Sequence, residues 1–152
     1  MRSFLRFFIE KTILGLEELI WLDGVGKILA KLDTGNGAYN VLHGENIKMR
    51  GTDVEFTTIN GKSLTKPIED TITINVGAGT KEDRPVVLFN VKIGNSVFPN
   101  IPFSIGNRAD NIHKVLIGKD FIGNNLNALI DVAPNSLPGA WTRRCSRYWR
   151  TA

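Results

Sequence analysis

At 152 residues, 42% hydrophobic and 22% charged, the chain reads as one ordinary soluble domain, long enough to bury a core without disulfide or metal staples. Its single cysteine, Cys145, excludes an internal disulfide and cysteine-based zinc spacing, and suits a reducing cytosol. The net charge of +4 equals the four arginines crowded at the end, Arg143, Arg144, Arg147 and Arg150, so the body is near neutral and a nucleic-acid groove across it is not expected.

The first apolar stretch is broken by Arg6, Glu10 and Lys11, which argues against a secretory signal, and no run approaches the length of a membrane span. Phe4, Phe7 and Phe8 fit one side of a short amphipathic helix, so residues 1–12 form an expected N-terminal arm. Residues 13–21 have the apolar content of a strand or short helix, and Asp23-Gly24 makes a turn. Residues 27–32 read as a buried strand that delivers Asp33 at its exit. Alternation over residues 54–59 leads into Asn60-Gly61, a hairpin signal in which both central residues are expected at positive φ.

Residues 71–76 alternate cleanly, which predicts one buried and one wet face, and a polar glycine-containing connection follows over 77–84. Further strands are expected at 86–93, 96–98, 101–105 and 115–118, a helical turn from Lys119, and a last strand within 126–132. Pro134 and Pro138 then end the ordered part, leaving residues 134–152 as a basic tail. Six to eight short strands with glycine and asparagine turns predict an all-β fold, a small closed or partly open and mostly antiparallel β-barrel, over residues 13–133.

Asp33-Thr34-Gly35 carries the chemistry. It sets a carboxylate at a strand exit, which is what one half of an aspartic peptidase site requires. Two such carboxyls hold one water, and their mutual repulsion keeps one of them protonated, so one acts as base and the other as acid. Thr34 can bond the backbone of an opposing loop, and Gly35 permits a sharp turn and close approach. Only one Asp-Thr-Gly is present, so this chemistry requires the chain to pair with itself. A closing flap is also needed. Asn60, Gly61 and Lys62 are the first candidate, and the Gly77-Ala78-Gly79 connection is the second.

Downstream lies Val115-Leu116-Ile117-Gly118-Lys119-Asp120-Phe121-Ile122. A strand with Asp-Thr-Gly followed by such a segment resembles the retropepsin-like aspartic proteases. Closer still is the bacterial and phage branch labelled "ATP-dependent zinc protease". In that branch Ala-Lys-Val-Asp-Thr-Gly-Ala is followed shortly by Leu-His; this chain has Ala30-Lys31-Leu32-Asp33-Thr34-Gly35-Asn36, then Leu42-His43. The branch's Asn-Arg-Asp and apolar-Leu-Gly-Arg motifs are similar to Asn107-Arg108-Ala109-Asp110 and Leu116-Ile117-Gly118-Lys119 here. The branch's opening Gly-Trp-Arg-Glu strand has an echo in Gly15, Glu17 and Trp21, and the resemblance spans about residues 13–132.

The resemblance implies a barrel of the retropepsin (acid protease) type, with Asp33, Thr34 and Gly35 as the catalytic loop. It also implies that Leu116, Ile117, Gly118 and Phe121 support that loop from behind and lead into one short helix. No cofactor is implied. His43 and His113, the two histidines, lie far apart in sequence with no His-Glu-x-x-His motif, so no metal site is expected, and a phosphate-cradling loop for ATP is absent. Two positions depart from the branch: Asn36 stands where it has Ala, and Lys119 where it has Arg.

The sequence therefore points first to a homodimeric aspartic endopeptidase, a hydrolase acting on an extended peptide or protein substrate in the cytoplasm. The departure at Asn36 motivates an alternative: a catalytically relaxed scaffold used as a structural or assembly protein, for instance in a phage virion, with partners contacted through the termini.

Overall fold

The computed structural model describes residues 6–8, 11–133, 144–145 and 149–151, the short terminal pieces as backbone alone. Among these the chain forms fifteen strands and one short helix. They run β1 (Arg6–Phe8), β2 (Lys11–Leu14), β3 (Glu17–Leu22), β4 (Gly26–Asp33), β5 (Asn40–His43), β6 (Glu45–Arg50), β7 (Asp53–Thr57) and β8 (Ser63–Pro67). Then come β9 (Asp70–Asn75), β10 (Lys81–Ile93), β11 (Ser96–Gly106), β12 (Val115–Gly118), a π-helical turn (Phe121–Asn125), β13 (Ala128–Ile130), β14 (Arg144–Cys145) and β15 (Trp149–Thr151).

The all-β expectation holds, and the main sheet closes on itself. Its order is β11-β5-β12-β4-β3-β10-β9, and β10 also pairs with β11, so six strands form a ring with β9 attached outside it. Closure removes the free edges that an open sheet would present. Two of the ring's ladders are parallel, β4 with β12 and β5 with β11. Parallel partners must come from distant stretches of chain, and these are the pairings that local sequence pattern does not announce.

The alternation in β3, with Glu18, Ile20 and Leu22 buried, turns one face of the ring inward. Ala30, Leu32, Leu42, Val87, Phe89, Val91, Phe103, Ile105, Val115 and Ile117 meet it in one core. At its centre the rings of Phe89 and Phe103 pack edge to face, centroids 5.7 Å apart. A smaller sheet, β6-β7-β8, adds Val54 and Phe56 to the same core, both fully buried. The helical turn is a π-turn, closed by the Leu126 amide on the Phe121 carbonyl 2.9 Å away. It seats Phe121 against Phe98, ring centroids 5.3 Å apart.

Three local expectations are revised. The strand expected from residue 86 begins at Lys81 and runs thirteen residues, because its first half pairs with β9 as an arm outside the ring. The Asn60-Gly61 hairpin forms, but only Gly61 has positive φ (77°); the turn closes through Thr58 and Lys62, leaving Asn60 in an ordinary conformation. Residues 6–8 are extended rather than helical and pair with β15, while Phe4 lies outside the described residues. The strand at β13 pairs with β2 in parallel, and β14 pairs on the other side of β2. Of the tail arginines, Arg143 and Arg147 lie outside the described residues. No helix among the described residues is long and apolar enough to cross a membrane.

Phe103 is fully buried on β11, packs against Phe89 at the ring centre and is in register with Asn40 of β5. Replacing it with Ala is expected to cost about 3–5 kcal/mol, read as a lower midpoint in urea unfolding with an unchanged slope.

Candidate functional site

Asp33 is the last residue of β4 and sits in register with Gly118, the last residue of the parallel strand β12. Beyond it the chain turns at once, with the Asn36 amide donating to the Asp33 carbonyl at 3.1 Å. The Gly35 amide donates to Asp33 Oδ1 at 3.2 Å, which orients the carboxylate. Thr34 and Gly35 are exposed, and Thr34 makes no side-chain hydrogen bond among the described residues.

Asn36 holds the loop together. Its Oδ1 accepts from the Ala38 amide at 2.9 Å and its Nδ2 donates to the Tyr39 carbonyl at 3.1 Å. Its own carbonyl accepts from the Lys119 amide at 2.9 Å, tying the loop to the segment after β12. Gly118 makes this approach possible: a Cβ there would lie 3.0 Å from the Asn36 carbonyl oxygen and 3.2 Å from that of Ala38. Asn40, buried at the start of β5, accepts from the Gly118 amide at 2.8 Å and donates to the Pro102 carbonyl at 3.3 Å. One amide thus links β5, β11 and β12 beneath the loop.

The carboxylate opens onto a groove of about 370 Å³. Lys31 and Leu116 form its floor, and residues 108 and 110–113 form its far wall. That wall is braced from within. Lys114 Nζ donates to the carbonyls of Arg108, Ala109 and Asn111 at 2.9, 2.7 and 2.7 Å. Arg108 Nε donates to the His113 carbonyl at 2.9 Å, and His113 Nε2 lies 2.5 Å from Glu17 Oε1 on β3. Burial, and next the nearby Arg84, draw the Arg108 guanidinium below its ordinary pKa, while Asp33 pulls it back up. A half-buried cation therefore lines the same groove as the Asp33 carboxylate and is attracted by it.

Of the residues singled out in the sequence, Asp33, Thr34, Gly35 and Gly118 come together at this loop. Ile117 is fully buried in the core behind it, and Phe121 packs at the π-turn that follows. Leu116 points the other way and lines the groove itself. Asn60, Gly61 and Lys62 are not brought to the site. Asn60 Nδ2 donates to the Val25 carbonyl, and Leu64 of the same hairpin lies against Gly24, so the turn docks beside the start of β4. Asp33 lies seven residues on at that strand's other end, about 23 Å away along extended chain.

The second flap candidate belongs to an arm whose base adjoins the site. The arm formed by β9 and the first half of β10 carries the 77–79 connection at its tip. Its base meets the site twice. Tyr39 donates through its hydroxyl to Asp70 Oδ2 at 2.8 Å, and the Arg84 guanidinium lies against Gly106, paired with Glu82 at 3.1 Å. That hydrogen bond, then burial and the charges of Asp70 and Glu69, raise the Tyr39 phenol above its ordinary pKa.

Arg84, Arg108, Tyr39 and Asn40 escaped the reading of the sequence as site residues. Only Arg108 gave a signal, through Asn107-Arg108-Ala109-Asp110. No group of three or more His, Cys, Asp or Glu side chains among the described residues is placed to hold a metal ion. His43 instead bonds to the Arg108 amide and sits 3.3 Å from Glu45.

No protein-family model matches the chain, and no curated protein matches it. A solved structure does: Lpg0085 from Legionella pneumophila subsp. pneumophila str. Philadelphia 1, described as a protein of unknown function (DUF785). The two are 29% identical and superpose with a TM-score of 0.65, over 80% of this chain and 93% of the Legionella chain. The neighbour supports the architecture and is silent on activity.

Two outcomes follow from this geometry. Gly118→Ala should destabilise the fold by about 1–3 kcal/mol, because the two carbonyls it would crowd belong to backbone and cannot swing aside. The amide resonances of residues 36–38 should shift while those of β7 do not. Asp70→Ala should bring the Tyr39 phenol down towards its ordinary value, seen by ultraviolet titration. Because the folded pKa is the raised one, the contact with Asp70 contributes stability below the ordinary phenol pKa and loses it as pH rises through the raised value.

Proposed function

We propose that the chain is an aspartic endopeptidase of the retropepsin type that works as a symmetric pair, with Asp33 of each copy sharing one water. The observation that carries this reading is the placement of Asp33. It ends a strand of the ring, its loop rests on a glycine of the neighbouring parallel strand, and the next two residues are exposed, with the Thr34 side chain unspent in the fold. An exposed Thr34 hydroxyl and Gly35 are what a second copy of the loop would engage. In the dyad one carboxylate takes a proton from water as it attacks the peptide carbonyl, and the other, protonated by mutual repulsion, gives its proton to the carbonyl oxygen. The two carboxyls titrate as a unit. The groove along Leu116 would take an extended peptide, with the β9–β10 arm as its cover.

Asp110 is a second carboxylate in the same groove. It sits on the wall loop and is exposed, so it is not expected to complete the dyad. The test measures cleavage of a mixed peptide library across pH together with sedimentation. Asp33→Asn should lower kcat/KM by at least about a thousandfold, Asp110→Asn should leave most of it, and active protein should sediment as a dimer. An active monomer, or cleavage untouched by Asp33→Asn, overturns the proposal. Inertness at every pH together with a stable assembly supports the scaffold reading instead.

A further inference from the structure

His43 ends β5 and is only 4% exposed, yet it is one of the few buried polar side chains of the fold. Its ring and its backbone hold opposite ends of the groove wall. Nδ1 lies 2.8 Å from the Arg108 amide, which can only donate, so Nδ1 must be the acceptor and carry no proton. The His43 amide in turn donates to the Lys114 carbonyl at 2.8 Å. The remaining ring nitrogen, Nε2, faces Glu45 Oε1 at 3.3 Å and can donate to it. These contacts agree with one state of the ring: neutral, with its proton on Nε2.

We infer that His43 is a positioning residue for the Asp33 groove: as the neutral Nε2–H tautomer it fixes the backbone of Arg108, and through it the wall that faces the carboxylate. The dependence is strict on chemical grounds. A ring protonated on both nitrogens has no lone pair for the Arg108 amide, and that buried N–H would lose its partner. Of the charged groups nearby, Glu45 on β6 lies 3.3 Å from Nε2, and Arg84 on β10 lies against Gly106, the register partner of His43. Arg108 is the link to the site. Its amide is held by His43, its Nε by the His113 carbonyl, and its guanidinium interacts with Asp33. Displacement of residue 108 would move that cation and the groove wall while leaving β4 and β12 in place.

The functional part of this inference rests on the peptidase reading; the structural part does not, and the experiment separates them. Long-range proton–nitrogen NMR on the full chain should show His43 with hydrogen on Nε2 and Nδ1 unprotonated. Exchange of the Arg108 amide should quicken by about tenfold or more in His43→Leu, with the amides of β12 unchanged. His43→Asn, whose side-chain oxygen can take the place of Nδ1, should recover most of that protection. The tautomer measurement on the wild type tests the dependence even if a variant fails to fold. On the peptide library, His43→Leu should lower kcat/KM by about tenfold and His43→Asn by less. A ring protonated on Nδ1, an unchanged Arg108 exchange rate in His43→Leu, or no difference between the two variants overturns the inference. Absence of cleavage by the wild type overturns the peptidase reading, while the tautomer and exchange measurements still decide whether His43 holds the wall.

Discussion

The shortness of β12 sets the dimensions of the site. This strand has four residues and is flanked by β4 on one side and β5 on the other. Its last residue, Gly118, is in register with Asp33, and the residue before its first, Lys114, is bonded to His43. Four residues of strand span about 10 Å, so the loop bearing Arg108 and the loop bearing Asp33 are held about a peptide's width apart. Had β12 been as long as β10, the cation and the carboxylate would lie at opposite ends of the barrel.

Polar groups fix the neighbours in this arrangement, while apolar ones anchor it. Val115 and Ile117 anchor β12 in the core, but its neighbours are set by Asn40, which ties β12 to β11, and by His43, which ties β5 to the wall. Each is buried, so each bond must be kept: leaving such a group without a partner costs about 1–3 kcal/mol. That penalty lets small polar side chains specify a single register in a ring whose apolar positions are largely interchangeable.

Much of this was legible in the sequence, and the boundary is instructive. The strand expected over residues 27–32, found at Gly26–Asp33, and the Asp-Thr-Gly at its exit were readable because both signals are local: an apolar run followed by turn residues. The Asn60-Gly61 hairpin was readable too, but its distance from Asp33 was not, since position after the aspartate says nothing about which end of β4 the turn docks against. Asn40 and Gly118 are 78 residues apart, and His43 and Arg108 are 65 apart. Contacts of that range leave no periodicity to detect. β9 was read as a strand, but the start of β10 was misread as part of a polar connection because residues 81–84, outside the ring, carry no apolar alternation.

Asn36 departs from the branch in sequence, and the geometry gives it a role in closing the loop. Both polar ends of its side chain are consumed within the loop, on the Ala38 amide and the Tyr39 carbonyl, so it closes the turn from below and leaves Thr34 and Gly35 outward. The remaining obstacle to a shared dyad is electrostatic. Two unit charges about 4 Å apart repel by about 4 kcal/mol at the effective dielectric near a protein surface. Sharing one proton removes most of that cost, and Arg108 facing each Asp33 offsets part of the rest. In the proposed dyad, a groove whose wall cation is held in place by a neutral histidine would be suited to receive a second carboxylate.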